Sequence, residues 1–260
     1  MLKVLKYSFY DLGRSRWSYI YFLFYLALGL VLLFLNHDLS KAVITLMNVI
    51  IVLVPLIGTI FGVMYYYNSK EFTELLLAQP IKRRDIFLGQ YLGISISLSL
   101  SLLLGIGIPF LIYGLFNSTA IWDFSLLLIS GVFLTFIFVA LAFNISLSNE
   151  NKIKGFGYAV LLWLFLAVVY DGLFLMSLIV FEDYPLDNFS LFGTLLNPVD
   201  LSRTLILLKL DISALMGYTG AVFKQFFGTY LGVIISLSTL LLWVIVPVFI
   251  LIKKAKSKDF

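Results

Sequence analysis

The sequence predicts an all-α membrane protein with six transmembrane helices, and three observations carry that reading. Of its 260 residues, 62% are apolar and only 12% charged, against about 45–50% and about 25% in an ordinary soluble domain. Apolar runs free of charge recur at lengths that cross a bilayer, which takes about 20 helical residues. Lys and Arg gather in alternate connections between those runs. A soluble fold of this size has too little interior to hide such an excess, and the mean hydropathy of +1.05 says the same. The composition therefore excludes a soluble enzyme, a nucleic-acid-binding domain and a disordered tail. With no cysteine and a single histidine, His37, there is no disulfide framework, no Cys-ligated metal and no Cys nucleophile.

The runs are 17–35, 42–67, 91–116 (inside the longer 86–122), 124–147, 155–181 (interrupted by Asp171) and 226–252. Their length reads as helix, not as the roughly 10-residue alternating strands of an outer-membrane barrel. One stretch, Ile94-Ser95-Ile96-Ser97-Leu98-Ser99-Leu100-Ser101, alternates with period two, the usual strand signal. A lone strand cannot satisfy its backbone in lipid. The stretch is therefore expected as helix, its hydroxyls returned to the preceding turn or to a neighbouring helix. The first run is longer than a signal peptide's apolar region and no small-x-small cleavage site follows it, so it is expected to be retained.

Orientation follows from the basic flanks. Lys3, Lys6, Arg14, Arg16, Lys70, Lys82, Arg83, Arg84, Lys152, Lys154, Lys253, Lys254, Lys256 and Lys258 fall on one side, whereas Lys41, Arg203, Lys209 and Lys224 fall on the other. Both termini are expected in the cytoplasm. The formal charge of +4 is then a topology signal and gives no reason to expect nucleic acid as a partner.

Three segments outside the spans are long enough for structure of their own. Residues 1–16 place Leu2, Leu5, Phe9 and Leu12 at three- and four-residue spacing with the basic residues elsewhere, an amphipathic helix expected to lie on the membrane surface. Residues 68–90 form a cytoplasmic elbow. Asn68 with Glu71 reads as a capping box, a short acidic and apolar helix runs to Pro80, which cannot continue it, and a new helix enters the third span through Gly89 and Gly93. The elbow is longer than a connection requires, which suits docking to a partner's groove. Residues 182–225 are expected to be helical on the outer surface. Asn197 is a good N-cap, Pro198 suits the first helical position, Asp200 faces the helix dipole, and Leu201, Leu205 and Leu208 line one face.

Asp171 is the acid within a span. Its insertion near the bilayer centre costs about 2.5–3.5 kcal/mol, so it is expected to face other helices or a wet cavity with a partner, Arg203 being one candidate. Gly58-xxx-Gly62, Gly89-xxx-Gly93 and Gly228-xxx-Gly232 permit close helix contact. Pro55, Pro109 and Pro247 are expected to kink spans. Met47, Met64 and Met176 lack the clustering a copper site needs and read as core. The chain has no HExxH, no GxSxG and no P-loop, so no catalytic residue and no metal site is expected.

The elbow run Glu71-Phe72-Thr73-Glu74-Leu75-Leu76-Leu77-Ala78-Gln79-Pro80, followed by Ile86-Phe87-Leu88-Gly89-Gln90, resembles the coupling-helix signature of ABC-2 type permeases, with Gln90 where that family usually has Lys. The six spans, the N-terminal helix and the outer helical segment fit the same family, so residues 1–260 read as one transmembrane domain. Asn149-Glu150-Asn151-Lys152, Tyr170-Asp171 and Leu196-Asn197-Pro198-Val199-Asp200 with Arg203 are similar to the permease subunit of the nitrous-oxide reductase maturation transporter.

The resemblance implies a multi-pass inner-membrane homodimer, a cytoplasmic ATP-binding subunit that carries the ATP and Mg, and a periplasmic β-helix accessory protein. It implies service to the copper sites of nitrous oxide reductase, by exporting a sulfur species or by transmitting motion. Glu71, Phe72, Thr73, Glu74, Leu75 and Pro80 would couple to the ATPase. Tyr170 and Asp171 would act at a moving intramembrane interface, and Asn197, Pro198, Asp200 and Arg203 at an outer gate or partner site. The alternatives are an ABC-2 exporter of a lipid, drug or glycan, and a secondary transporter using Asp171 as a proton site.

Overall fold

In the computed structural model, residues 1–14, 16–36, 39–118, 121–181, 186–209 and 230–257 are described, and all their regular secondary structure is helical. The α-helices are Leu2–Arg14 (α1), Arg16–Leu35 (α2), Leu39–Asn68 (α3), Lys70–Leu77 (α4), Arg83–Ile112 (α5), Ile121–Ser148 (α6), Lys152–Leu164 (α7), Tyr170–Val180 (α8), Asp187–Leu195 (α9), Pro198–Lys209 (α10) and Tyr230–Ser257 (α11). A 3-10 turn, Leu115–Asn117, follows α5, and a π turn, Phe165–Val169, joins α7 to α8 in one rod. Among the described residues, α2, α3, α5, α6, the α7–α8 rod and α11 are the six helices long and apolar enough to cross a membrane. All six expected spans are thus present. His37, Lys224 and Gly228 lie outside the described residues.

The two most buried spans, α5 and α6, stand at the centre with α3 beside them. Apolar side chains gain little by exchanging lipid for another apolar surface, so helices in a bilayer associate by packing and hydrogen bonding, and small residues admit the closest approach. Gly58 and Gly62 seat α3 on α6, where a Cβ at 62 would lie 2.8 Å from the Ala142 Cβ. Gly105 seats α5 on α2, where a Cβ would lie 2.7 Å from the Tyr25 Cβ. The Ile94–Ser101 alternation is indeed part of a continuous helix, its serines Ser95, Ser97, Ser99 and Ser101 all buried. Pro55, Pro109 and Pro247 each lie inside a helix. Met47 is core, as expected, but Met176 faces outward.

One local expectation is corrected, and α1 gains a packing partner. α1 is a helix, as expected, with Val4 and Ser8 facing the protein and Leu2 exposed. The cause is Gly89 and Gly93 on α5: a Cβ on Gly89 would lie 2.9 Å from the Val4 Cβ, and one on Gly93 2.6 Å from the Ser8 Cβ. α1 therefore packs against another helix along its small residues and turns part of its apolar stripe away. The capping box at Asn68 does not form. α3 runs on through Asn68, whose Oδ1 instead accepts from Lys152 Nζ at 3.0 Å. Ser69 takes the N-cap position of α4 without a side-chain cap, its Oγ donating back to Tyr65 O at 2.7 Å.

At the same end of the bundle, Asn144 Nδ2 donates to Ala140 O and to Pro247 O, each at 2.8 Å, tying α6 to α11. Lys254 Nζ donates to Ser148 Oγ at 2.7 Å. The N-terminal helix, the elbow, the α6–α7 connection and the end of α11 therefore share one end of the molecule.

Filling the α1–α5 seam tests this packing. Gly93→Val should cost about 1–3 kcal/mol, the usual range for overpacking, and free α1 to proteolysis. Gly13→Ala, where a Cβ meets nothing within 4 Å, should do neither. Thermal unfolding in detergent with limited proteolysis reads both.

Candidate functional site

The elbow is α4 and its flanks. A charged, short helix next to a membrane end is not held by burial of a broad face: in α4 only Thr73 is buried. Thr73 Oγ1 donates to Ser69 O at 2.8 Å and accepts from Gln90 Nε2 at 2.8 Å. Gln90 is fully buried on α5, and its Oε1 has no hydrogen-bond partner in the structure. The amide at the position of the family's usual Lys is thus the bolt between elbow and bundle. Phe72 stacks on Tyr7 of α1, with ring centroids 4.5 Å apart.

These two anchors turn the other face outward. Glu71, Glu74, Leu75 and Ala78, at three- and four-residue spacing, are all exposed, and Glu74 Oε1 lies 3.9 Å from Lys70 Nζ. Pro80 is exposed beyond the end of the helix. The six coupling residues of the sequence reading therefore divide by geometry: Phe72 and Thr73 hold the elbow, while Glu71, Glu74, Leu75 and Pro80 are open to a partner.

The second constellation joins the α7–α8 rod to α9 and α10. Helix α10 starts at Pro198, as the sequence predicts, with Asn197 Oδ1 accepting from Val199 N at 3.1 Å. Leu201 and Leu205 are buried, and the Leu208 side chain lies outside the described residues. Asn197 does more than cap. Its Nδ2 donates to Leu166 O at 2.7 Å, inside the π turn, and to Asp200 Oδ2 at 2.8 Å. A π turn slips the helical ladder by one residue, and here the protein meets that slip with an amide from a neighbouring helix. Tyr170 OH donates to Gly193 O at 2.7 Å, and the Phe174 ring fills the space a Cβ on Gly193 would need.

Asp171 has the partner proposed for it. Arg203 Nη1 donates to Asp171 Oδ2 at 2.6 Å, each side chain 28% exposed. The surroundings differ from expectation. No residue of α8 is buried, so Asp171 faces α10 at the side of the bundle rather than its interior.

Arg203 Nη1 also lies 3.6 Å from Asp200 Oδ1, an oxygen with no hydrogen-bond partner. Burial pushes the Asp200 carboxyl up from 3.8 to about 6; Asp171 adds to the rise, while Arg203 and the bond from Asn197 oppose it. Two carboxylates thus share one guanidinium, and the better buried of them holds its proton up to about pH 6.

The sequence reading missed the π turn, Tyr67 and Asn144. A π turn has no composition signal. Asn144 did have one, being an amide inside a charge-free run. Among the described residues no group of His, Cys, Asp and Glu is gathered as a metal site would need.

Residues 33–252 match the family described as ABC-2 family transporter protein. The chain is 28% identical over 134 residues to a protein of Stutzerimonas stutzeri named probable ABC transporter permease protein NosY, over 50% of this chain and 49% of that one. It is 28% identical over 148 residues to the protein of the same name from Pseudomonas aeruginosa, over 55% and 54%. The chain spans about half the length of these curated relatives.

Two outcomes test the rod–α10 constellation. The folded chain holds the Asp200 proton more tightly than the unfolded chain, so stability falls as pH rises from about 4 through about 6 and then levels. Thermal unfolding in detergent across that window should show the fall in the native chain and a flatter profile in Asp200→Asn. A double-mutant cycle with Asp171→Asn and Arg203→Gln should return a coupling of about 0.5–3 kcal/mol.

Proposed function

The chain belongs to the ABC-2 transporter family, and from that premise we propose that it is the membrane subunit of an ATP-driven transporter serving copper-site assembly of nitrous oxide reductase. Membership makes it a multi-pass permease subunit whose ATPase is carried by a cytoplasmic partner. The copper-enzyme assignment rests on the resemblance of residues 149–203 and on the NosY-named relatives. The same reading supplies an inner-membrane location with both termini in the cytoplasm, a homodimer and a periplasmic β-helix partner, with ATP and Mg bound by the ATPase alone.

In this reading the elbow receives the ATPase. Glu71, Glu74 and Leu75 enter a groove on that subunit, and Pro80 closes the helix. Thr73 and Phe72 pass its displacement into α5 and α1. Tyr170, Asp171, Asn197, Pro198, Asp200 and Arg203 then carry the far-end response, opening a path for a sulfur species or moving the periplasmic partner. The transmission route is the better supported of the two, because α9 and α10 are fastened to a span by three separate polar contacts.

One observation carries the coupling reading: an acidic and apolar stripe, exposed along its length, on a helix bolted to the bundle through a single buried threonine. Glu71→Lys with Glu74→Lys should abolish co-purification of the ATP-binding subunit, by tenfold or more, since one kilocalorie and a half is about a factor of ten. Because both side chains are exposed, the thermal midpoint of the permease alone should not move. A native chain that captures no ATPase in detergent or nanodisc would overturn the proposal and favour proton-coupled transport.

A further inference from the structure

We infer that Tyr67 is a positioning residue that couples the root of the elbow to the α7–α8 rod, making that rod the route by which motion reaches α9 and α10. The inference rests on the permease reading above. Tyr67 is in the last turn of α3, immediately before the residues that lead into α4. Its hydroxyl donates to Asn149 O at 2.7 Å, in the connection that starts the rod. It occupies the space a Cβ on Gly155 would need, so glycine is what lets the ring lie against α7. One residue on, Asn68 Oδ1 accepts from Lys152 Nζ at 3.0 Å. Asn151 Oδ1 closes the joint by accepting from Ile153 N at 2.9 Å, which fixes the first turn of α7 to the backbone that Tyr67 holds.

The middle of the rod, residues 166–171, is fastened as firmly to α9 and α10, through Leu166 O, Tyr170 and Asp171. Elsewhere the rod buries little: Gly155 and Ala159 are the buried residues of α7, Leu166 and Ala167 those of the π turn, and α8 has none. Between the two joints a polar tie, Trp163 Nε1 to Val52 O at 3.3 Å, runs to α3, the helix that carries Tyr67. A segment joined at Tyr67 and again at residues 166–171, with little of its surface buried, can shift as a unit, whereas α5 and α6 are packed on several faces and cannot do so without repacking. Coupling between distant sites needs a contiguous set of contacts and an element whose position both sites bias. The rod and its two joints meet both conditions.

The absence of cysteine permits a direct test. Spin labels at Ile112→Cys, at the end of α5, and Phe192→Cys, on α9, both exposed, report the position of α9 against the bundle. The labelled chain is reconstituted in nanodiscs with its ATP-binding subunit, and the distance is measured with and without ATP and vanadate. The native chain should show a nucleotide-dependent shift. Tyr67→Phe removes the hydroxyl, and Gly155→Ala displaces it; each should cut the shift roughly twofold or more while ATPase capture stays unchanged and the chain remains folded. A full shift in both variants, or no shift in the native complex, would overturn the inference. Loss of capture and of thermal midpoint together in both variants would do the same, leaving Tyr67 a purely structural residue. Failure of the native chain to capture the ATPase is a different result and sinks the permease coupling beneath it.

Discussion

Within a bilayer, where two helices meet is decided by how closely their backbones can approach and by which polar groups each can satisfy in the other. Glycine settles the first question in this chain. Gly58 and Gly62 set α3 against α6, Gly105 sets α5 against α2, and Gly89 with Gly93 sets α1 against α5. Everything functional hangs from those seams. The last of these seams also sets Tyr7 where Phe72 stacks on it, giving the elbow a second tie to the bundle beside Gln90.

The anchoring of the elbow has a consequence for charge. Because Thr73 and Phe72 do the holding, the carboxylates of Glu71 and Glu74 contribute little to the fold, exposed ion pairs being worth about 0–1 kcal/mol. Sequence change along that stripe is thus nearly free in stability and costly only in recognition. A surface with that property can be matched to one ATPase and against others by charge alone.

Much of this was legible in the sequence, for a physical reason. Lipid restricts a spanning segment to a helix, so length and apolarity alone placed six spans. The same constraint overruled the period-two serines of α5. Asn197-Pro198 announced the start of α10 because capping chemistry is local, and Arg203 was a fair partner for Asp171 because an acid there needed one. Local rules failed where a neighbour could outbid them. Asn68 had the residue types for a capping box, but α3 kept it helical and Lys152 claimed its oxygen. The seat of α1 on α5 depends on two glycines 80-odd residues away, which no local pattern in α1 announces. The π turn left no trace in the sequence, since what stabilises it is the Asn197 amide arriving from another helix.

The two joints of the α7–α8 rod differ in one respect: among the described residues, the one at α10 carries an ion pair. Toward the elbow the contacts are largely neutral or backbone-directed: a tyrosine hydroxyl on a carbonyl and an asparagine cap. Such bonds are directional and little affected by salt, which suits a joint that must transmit displacement without letting go. At the α10 joint Arg203 stands between Asp171 and Asp200, its side chain and that of Asp171 each 28% exposed. Parting such a pair inside hydrocarbon would strand charge, whereas partly exposed groups can be hydrated as they part. Burial raises the Asp200 carboxyl to about 6, so below that pH Asp200 is largely neutral and Arg203 serves one anion. On the proposed reading, both joints of this rod hold by neutral, backbone-directed hydrogen bonds, and the Asp171–Arg203 pair adds to the second a charged contact that can part where water reaches it.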